Sequence, residues 1–474
     1  MGKEEKEIYR NELAKRQLII KDAKLPVVVI VEGWGAAGKG SVLGSIIKYM
    51  DPRFFKFFNM DVISEDEKRK PFLYRHAQKM PMAGQFSFFD GGLMDETTKA
   101  YLHKEISEKE YKKRIRSIAD YERSLCDNGY LVLKFFLNIE KDVQKERLCK
   151  LENGKNTKWR VSEDDLWQNK HYEKCEKVYK QYIKDTSTAL CPWYEIDATD
   201  KDNVEKFIAD TIISRIDSKL EDDYVPEIVE GEFKLAKTVP VSTVKLDGKV
   251  LSDEEYRTRL KELRKELKKL HNKLYEKRIP VIIGYEGWDA AGKGGNIKRV
   301  ASALDPRGYE VFPIASPTAE EKGRHFLWRF YNRLPRTGHI AIYDRTWYGR
   351  VMVERLEGFC SENDWKRAYR EINEFERDLT EWGAIVIKFW VQIDKDIQLE
   401  RFTLRQNTPE KQWKITDEDW RNREKWDLYE SAIDEMIEKT NTVAAPWYIL
   451  ESADKKYARI KALEIIIEEI KKRL

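Results

Sequence analysis

Apolar and polar positions alternate along this chain in blocks, and the clearest block lies in its second half. Pro280, Val281, Ile282, Ile283, Gly284 and Tyr285 form a short unbroken apolar run, the pattern of a strand buried on both faces. A Gly-rich turn follows, then a helical pattern over about 293–304. The run from His339 to Asp344 reads as a second buried strand, one that ends on a carboxylate. A third spans 384–391 and is entered after a helix over 365–382. Strands alternating with helices predict a parallel sheet with helices on both faces. Ligands of such sheets bind beyond the carboxyl ends of the strands. The Gly-rich turn and Asp344 both fall there.

The same pattern occurs earlier. A shift of 254 positions carries the segment EGWGAAGKG at Glu32 onto EGWDAAGKG at Glu286. It also carries Asp51-Pro52-Arg53 onto Asp305-Pro306-Arg307, Asp90 onto Asp344, Glu122-Arg123 onto Glu376-Arg377, Lys134 onto Lys388 and Trp193 onto Trp447. A register this long marks a duplicated domain rather than a solenoid unit. The expected organisation is a first domain over 1–225, a linker over 226–250 with prolines and no helical period, and a second domain over 251–474. Ser252 and Glu255 form a capping-box pattern ahead of Leu260, Leu263, Leu267, Leu270 and Leu274 at helical spacing. That helix is expected to pack on its own domain, with a contact between two copies of the chain as the alternative.

Composition narrows the function classes. The 88 Lys and Arg nearly balance 84 Asp and Glu, so a global polyanion coat such as nucleic acid binding is not expected, and any basic site must be local. Five cysteines without a C-x-x-C pair argue against a disulfide framework or a zinc site. The charged start and the lack of a long apolar run point to a cytoplasmic protein with no membrane partner.

The chemistry gathers in the second copy. Gly287 to Lys293 match the P-loop frame G-x-x-x-x-G-K, between a strand and a helix. Backbone N–H groups of Gly287, Ala290, Ala291, Gly292, Gly294 and Gly295 are candidates to cradle phosphate, with Lys293 reaching the same oxygens. Gly294 replaces the usual Ser or Thr, so the hydroxyl that normally holds Mg²⁺ is missing. Asp289, inside the loop, therefore reads as a metal ligand or general base. Asp344 takes the place of a Walker B carboxylate that binds Mg²⁺ or orients the acceptor. Arg345, Arg350 and Arg355 follow it and suit charge spread over phosphoryl oxygens, with a local Glu as the alternative partner of Arg355. The segment from Arg401 to Tyr429, rich in Arg, Lys and Trp and broken at Pro409, is expected to be a helical lid, with Arg401 and Arg405 on one helix face. The fold class that results is α/β, two tandem P-loop kinase-like domains, each a parallel sheet flanked by helices with a helical lid.

In these residues the chain resembles the polyphosphate kinase 2 family. The loop from Gly287 to Gly294, the strand end Tyr343 to Tyr348, Val353-Glu354-Arg355, and the pair Trp413-Lys414 carry the likeness. The fused two-domain arrangement resembles the subclass described as polyphosphate:AMP phosphotransferases. The resemblance implies phosphoryl transfer between inorganic polyphosphate and AMP to give ADP. It further implies Mg²⁺ or Mn²⁺ held by Asp289 and Asp344, phosphates held by Lys293 and Arg345, and a basic groove that includes the lid and Lys414. Alternatives are a polyphosphate-dependent nucleoside diphosphate kinase, an ATP-dependent nucleotide kinase, or a non-catalytic phosphate-binding regulator.

The first copy departs from this pattern. Asp289 becomes Gly35, Arg345 becomes Gly91, Arg350 becomes Glu96 and Arg355 becomes Tyr101, while Lys39 and Asp90 persist. It is expected to be non-catalytic, with phosphate binding left open by Lys150, Lys155, Lys158 and Arg160 in its lid region.

Overall fold

The structure is a computed structural model that describes Lys3–Leu474, except for the side chains of residues 3–6, Lys411 and Lys414. It divides into two compact units, one comprising residues 1–64, 73–226 and 318–328, the other 65–72, 227–317 and 329–474.

The first unit holds five parallel strands: β1 (Val27–Gly33), β2 (Phe55–Asn59), β3 (Phe86–Asp90), β4 (Leu131–Asn138) and β5 (Trp193–Asp197), in the order β2-β3-β1-β4-β5. The second unit repeats this with β6 (Val281–Gly287), β7 (Tyr309–Pro313), β8 (Ile340–Asp344), β9 (Ile385–Gln392) and β10 (Trp447–Glu451), ordered β7-β8-β6-β9-β10. The central strand of each sheet is an apolar run covered on both faces. Val281, Ile282, Ile283 and Tyr285 are wholly buried, as the unbroken pattern predicts. Because the order reverses direction at β6, its carboxyl end opens on the crevice where such sheets bind ligands.

Helices cover both faces. The helix Asp253–Glu276 starts with a complete capping box between Ser252 and Glu255, buries Leu267, Leu270 and Leu274, and lies against Lys455–Arg473 of the same unit. Residues 226–250, expected to be a linker, are instead mostly part of the second unit. Val241 is fully buried there, its N–H donates to Asp434 at 2.7 Å, and its carbonyl accepts from Gln392 at 3.1 Å.

The division also departs from the repeat boundary in two short segments. Residues 318–328 complete the first unit, where His325 meets Ser124 at 2.9 Å and the Trp328 indole donates to the Gln78 carbonyl at 3.1 Å. Residues 65–72 complete the second, where Arg69 donates to the Thr337 carbonyl at 2.6 Å. Among the described residues, no helix is long and apolar enough to cross a membrane.

Candidate active site

The loop between β6 and the helix Lys293–Ala301 is shaped by two glycines. Gly287 lies at φ +150°, and a Cβ there would come within 2.6 Å of the Val391 carbonyl oxygen, so the approach to β9 admits no side chain. Gly292, at φ +114°, caps the helix in the left-handed region. The Lys293 ammonium folds back over the loop and donates to the carbonyls of Gly287 at 2.6 Å and Trp288 at 3.2 Å. At Gly294 a Cβ would meet open space, so the missing hydroxyl is not excluded by crowding.

The loop is braced from behind. Trp288 stacks on Trp426 with ring centres 3.6 Å apart and donates to Gln392 at 3.0 Å. Arg401, expected on a phosphate-facing lid, is buried behind the loop. Its guanidinium donates to the carbonyls of Ala290 at 3.1 Å, Ala291 at 3.0 Å and Ala453 at 3.0 Å, and to that of Ser452. Burial pulls its pKa down to about 10. This arginine holds backbone in place, a correction to the phosphate-binding reading. Arg147 does the same in the first unit, reaching Ala37, Ala198 and Thr199.

Asp289 stands at the front of the loop with both oxygens engaged. Arg345 donates to Oδ1 at 3.3 Å and Asn422, on the lid helix Asp417–Glu424, donates to Oδ2 at 3.1 Å. Gln398 donates to the Asp289 carbonyl at 3.2 Å. Arg345 lies at φ +67°, a left-handed backbone that costs a residue with a Cβ on the order of 1–2 kcal/mol. Two anchors on the residues just after it hold it there. Glu286 accepts from the Thr346 N–H at 2.7 Å and hydroxyl at 2.8 Å. Buried Glu376 accepts from the Trp347 indole at 3.0 Å and the Tyr348 hydroxyl at 2.6 Å, and pairs with Lys388 at 2.7 Å. Burial disfavours the charge on Arg345, but the carboxylates of Asp289, Glu286, Glu418 and Asp344 outweigh it and raise its pKa. Asp344 ends β8 beside Tyr285 of β6, on the same edge as the loop.

The other arginines divide. Arg350 pairs with Glu354 at 3.1 Å. Arg355 does not reach the loop residues. It pairs with Glu435 at 2.6 Å, donates to Tyr369 at 3.1 Å and lies 3.9 Å from the centre of the Trp365 ring. Its partner is a Glu distant in sequence, not the local Glu of the alternative. Arg405 is half-buried on the helix Lys395–Gln406, and the side chain of Lys414 lies outside the described residues. A cavity of about 90 Å³ opens between the loop and the lid, bounded by Asp289, Arg345, Glu418, Asn422 and Tyr429.

Three residues here escaped the sequence reading: Glu286, Gln398 and Asn422. The first two had a signal, since the 254-residue shift keeps them as Glu32 and Gln144. Asn422 falls on Gln168, another amide, which contacts the loop of the first unit by accepting from the Gly35 N–H at 2.8 Å.

That first-unit loop is filled differently. Lys39 again reaches the loop carbonyls, at 3.1 Å for Gly33 and 3.4 Å for Trp34. The Asp165 carboxylate occupies the space a side chain at Gly35 would need, 2.0 Å from the position of a Cβ. Burial disfavours the charge on Lys39, yet Asp90, Asp95, Asp165 and Glu32 around it raise its pKa. Four carboxylates thus surround the lysine of this loop.

The family model described as polyphosphate kinase 2 matches residues 1–224 and again 250–474. A curated relative from Pseudomonas syringae pv. tomato, named polyphosphate:AMP phosphotransferase, is 37% identical over 471 residues, covering 98% of this chain and 94% of its own. A protein of the same name from Pseudomonas aeruginosa is 36% identical over 469 residues, covering 97% and 94%. A crystal structure assigned to a polyphosphate kinase 2 of Pseudomonas aeruginosa superposes with a TM-score of 0.87 at 34% identity, covering 100% of this chain and 97% of that one.

Proposed function

This chain belongs to the polyphosphate kinase 2 family, and from that premise we propose that its second unit transfers a phosphoryl group between inorganic polyphosphate and AMP, forming ADP. The observation that carries the reading is the convergence of Lys293, Asp289 and Arg345 on one loop at the carboxyl edge of the sheet, in a chain similar over its length to proteins named for that reaction.

In the forward direction an α-phosphate oxygen of AMP attacks the terminal phosphorus of polyphosphate. The new P–O bond forms as the terminal P–O–P bond breaks, and the shortened polyphosphate leaves with the electron pair. The attacking oxygen needs no base, because a phosphate monoester is already mostly dianionic at neutral pH, with its second pKa near about 6. Asp289 therefore has no proton to remove, which favours the ligand role over the general-base role. The loop N–H groups and Lys293 hold the phosphates, and Arg345 neutralises charge that grows on the transferred group. Asn422 joins the lid to Asp289, so the arrangement of the carboxylate depends on where the lid helix lies.

Kinases of this family work with a divalent metal, which we take to be Mg²⁺, with Mn²⁺ able to replace it. Among the described residues no cluster of three or more protein ligands exists. That fits Mg²⁺, which takes one or two carboxylates and completes its shell with water and substrate phosphates. Asp289 and Asp344 would hold it, and when bound it would draw charge from the phosphoryl oxygens. We further propose that the first unit is non-catalytic and that the protein acts in the cytoplasm.

The test is a phosphotransfer assay on the purified full chain with Mg²⁺, offering polyphosphate or ATP as donor and AMP or ADP as acceptor. ADP formed from AMP and polyphosphate alone supports the reading. Turnover only with ATP, or only with ADP as acceptor, overturns the donor or the acceptor respectively.

A further inference from the structure

We propose that the first unit carries a nucleotide-binding site of its own, away from its degenerate loop, in the groove between the residue 101–115 segment and the helix Tyr172–Thr186. The groove has a volume of about 930 Å³, at the upper end of what small-ligand sites offer. Its floor is Tyr111, stacked against half-exposed Tyr101 with ring centres 4.5 Å apart. Tyr111 is 93% buried, being 7% exposed, and among the described residues its hydroxyl has no hydrogen-bond partner.

The second unit shows why the groove exists. There the same positions are sewn together: Arg355 pairs with Glu435 and Tyr369, and Lys439 pairs with Glu435 at 3.2 Å. Under the 254-residue shift these four become Tyr101, Gln181, Ile115 and Asp185 in the first unit, so every polar member of the network is exchanged. In the same comparison Gly358, Leu428 and Ser431 become Lys104, Lys174 and Lys177, all exposed and all lining the groove. The network has gone, and three cations stand at the rim of the space it filled.

The ligand class follows from the lining. Tyr101, Ile115 and Val178 offer a ring face and apolar wall for a base. Lys104, Lys174 and Lys177 offer charge to a phosphate; Lys174 donates to the Leu102 carbonyl at 3.3 Å and lies beside Trp167. Asp185, bound by Gln181 at 2.7 Å, is an acceptor suited to sugar hydroxyls. A bare polyphosphate would need none of the apolar or acceptor groups and would be repelled by Glu105 and Asp185. A nucleoside phosphate uses all three kinds of group.

The experiment is equilibrium dialysis of radiolabelled ADP against the full-length chain, without polyphosphate, comparing the wild type with Lys174→Glu/Lys177→Glu and with Tyr101→Arg. These residues are exposed or half-exposed and lie outside the proposed catalytic unit. Folding is checked by thermal melting and by phosphotransfer turnover, which should stay at the wild-type rate. The wild type should bind one more ADP per chain than either variant, whatever number the second unit takes. Equal stoichiometry in all three proteins overturns the site. If inorganic tripolyphosphate displaces that extra ADP as well as unlabelled ADP does, the nucleoside part of the assignment is overturned.

Discussion

Arg345 shows at the scale of one residue what the second unit preserves and the first has given up. Both units turn the chain into the left-handed region after their third strand, at φ +67° for Arg345 and φ +79° for Gly91. Glycine removes the strain and the cation together, whereas the second unit keeps both. The same division governs Asp289, which is Gly35 in the first unit with an Asp165 oxygen filling its place. Asp289→Asn should lower turnover about a hundredfold or more while leaving the melting temperature nearly unchanged, because the amide keeps its shape and loses only its charge. Steady-state rates and a thermal melt on one preparation check this, and a near-normal rate would remove Asp289 from the reaction. Lys293→Ala should abolish measurable transfer by the whole chain, since Lys39 is ringed by carboxylates. Transfer that persists at a fair fraction of the wild-type rate would give the first unit a catalytic role. Residue identity was legible here because a phosphate loop needs glycines and a lysine at fixed spacing. The role of Arg401 was not, because a cation that holds carbonyls and one that holds phosphates look alike in sequence. Only the four carbonyl oxygens around it tell the two apart.

Among the elements, the central strands were readable and the edge strands were not. β6 and β8 are buried on both faces and show as apolar runs, and β9 shows as one interrupted by Lys388. β7 and β10 are five residues each and partly exposed, so they show neither a run nor a clean alternation. What ties β9 to the catalytic turn is a buried charge, also hidden from pattern reading. Lys388 donates to Glu376 at 2.7 Å, to Tyr348 at 2.8 Å and to the Thr440 carbonyl at 2.8 Å, and Glu376 in turn holds Trp347 and Tyr348 next to Arg345. The first unit keeps the pair as Lys134 and Glu122, at 2.6 Å, although Gly35 and Gly91 stand there in place of Asp289 and Arg345. A pair retained where those two residues are not belongs to the fold. Lys388→Met should therefore destabilise the second unit by about 3–5 kcal/mol, because Glu376 is left buried with its charge uncompensated. Denaturant unfolding measures this, and a loss under about 1 kcal/mol would show that water reaches the site and screens it.

For the molecule as a whole, the repeat boundary read from sequence and the compact units differ, and the difference can be measured. Residues 226–250 have prolines and no period, so the sequence offers no reason to place them in a core. Yet Val241 is wholly buried in the second unit, Ala236 N–H donates to the Asn441 carbonyl at 2.7 Å, and Leu235 bridges to Thr442. This segment earns its place through tertiary contacts rather than through any local preference. A fragment spanning 227–474 should for that reason be more stable than one spanning 251–474. Burying one valine contributes about 1.5–3 kcal/mol, so for a unit of this size the melting temperatures should differ by roughly 3–12 °C. Neither fragment should match the second unit in the intact chain, because both lack 65–72, whose Arg69 caps the Thr337 carbonyl at 2.6 Å. Equal melting temperatures for the two fragments would make 227–250 a tether after all. A shorter fragment as stable as the unit in the full chain would show that the sequence repeat, not the compact unit, is what folds.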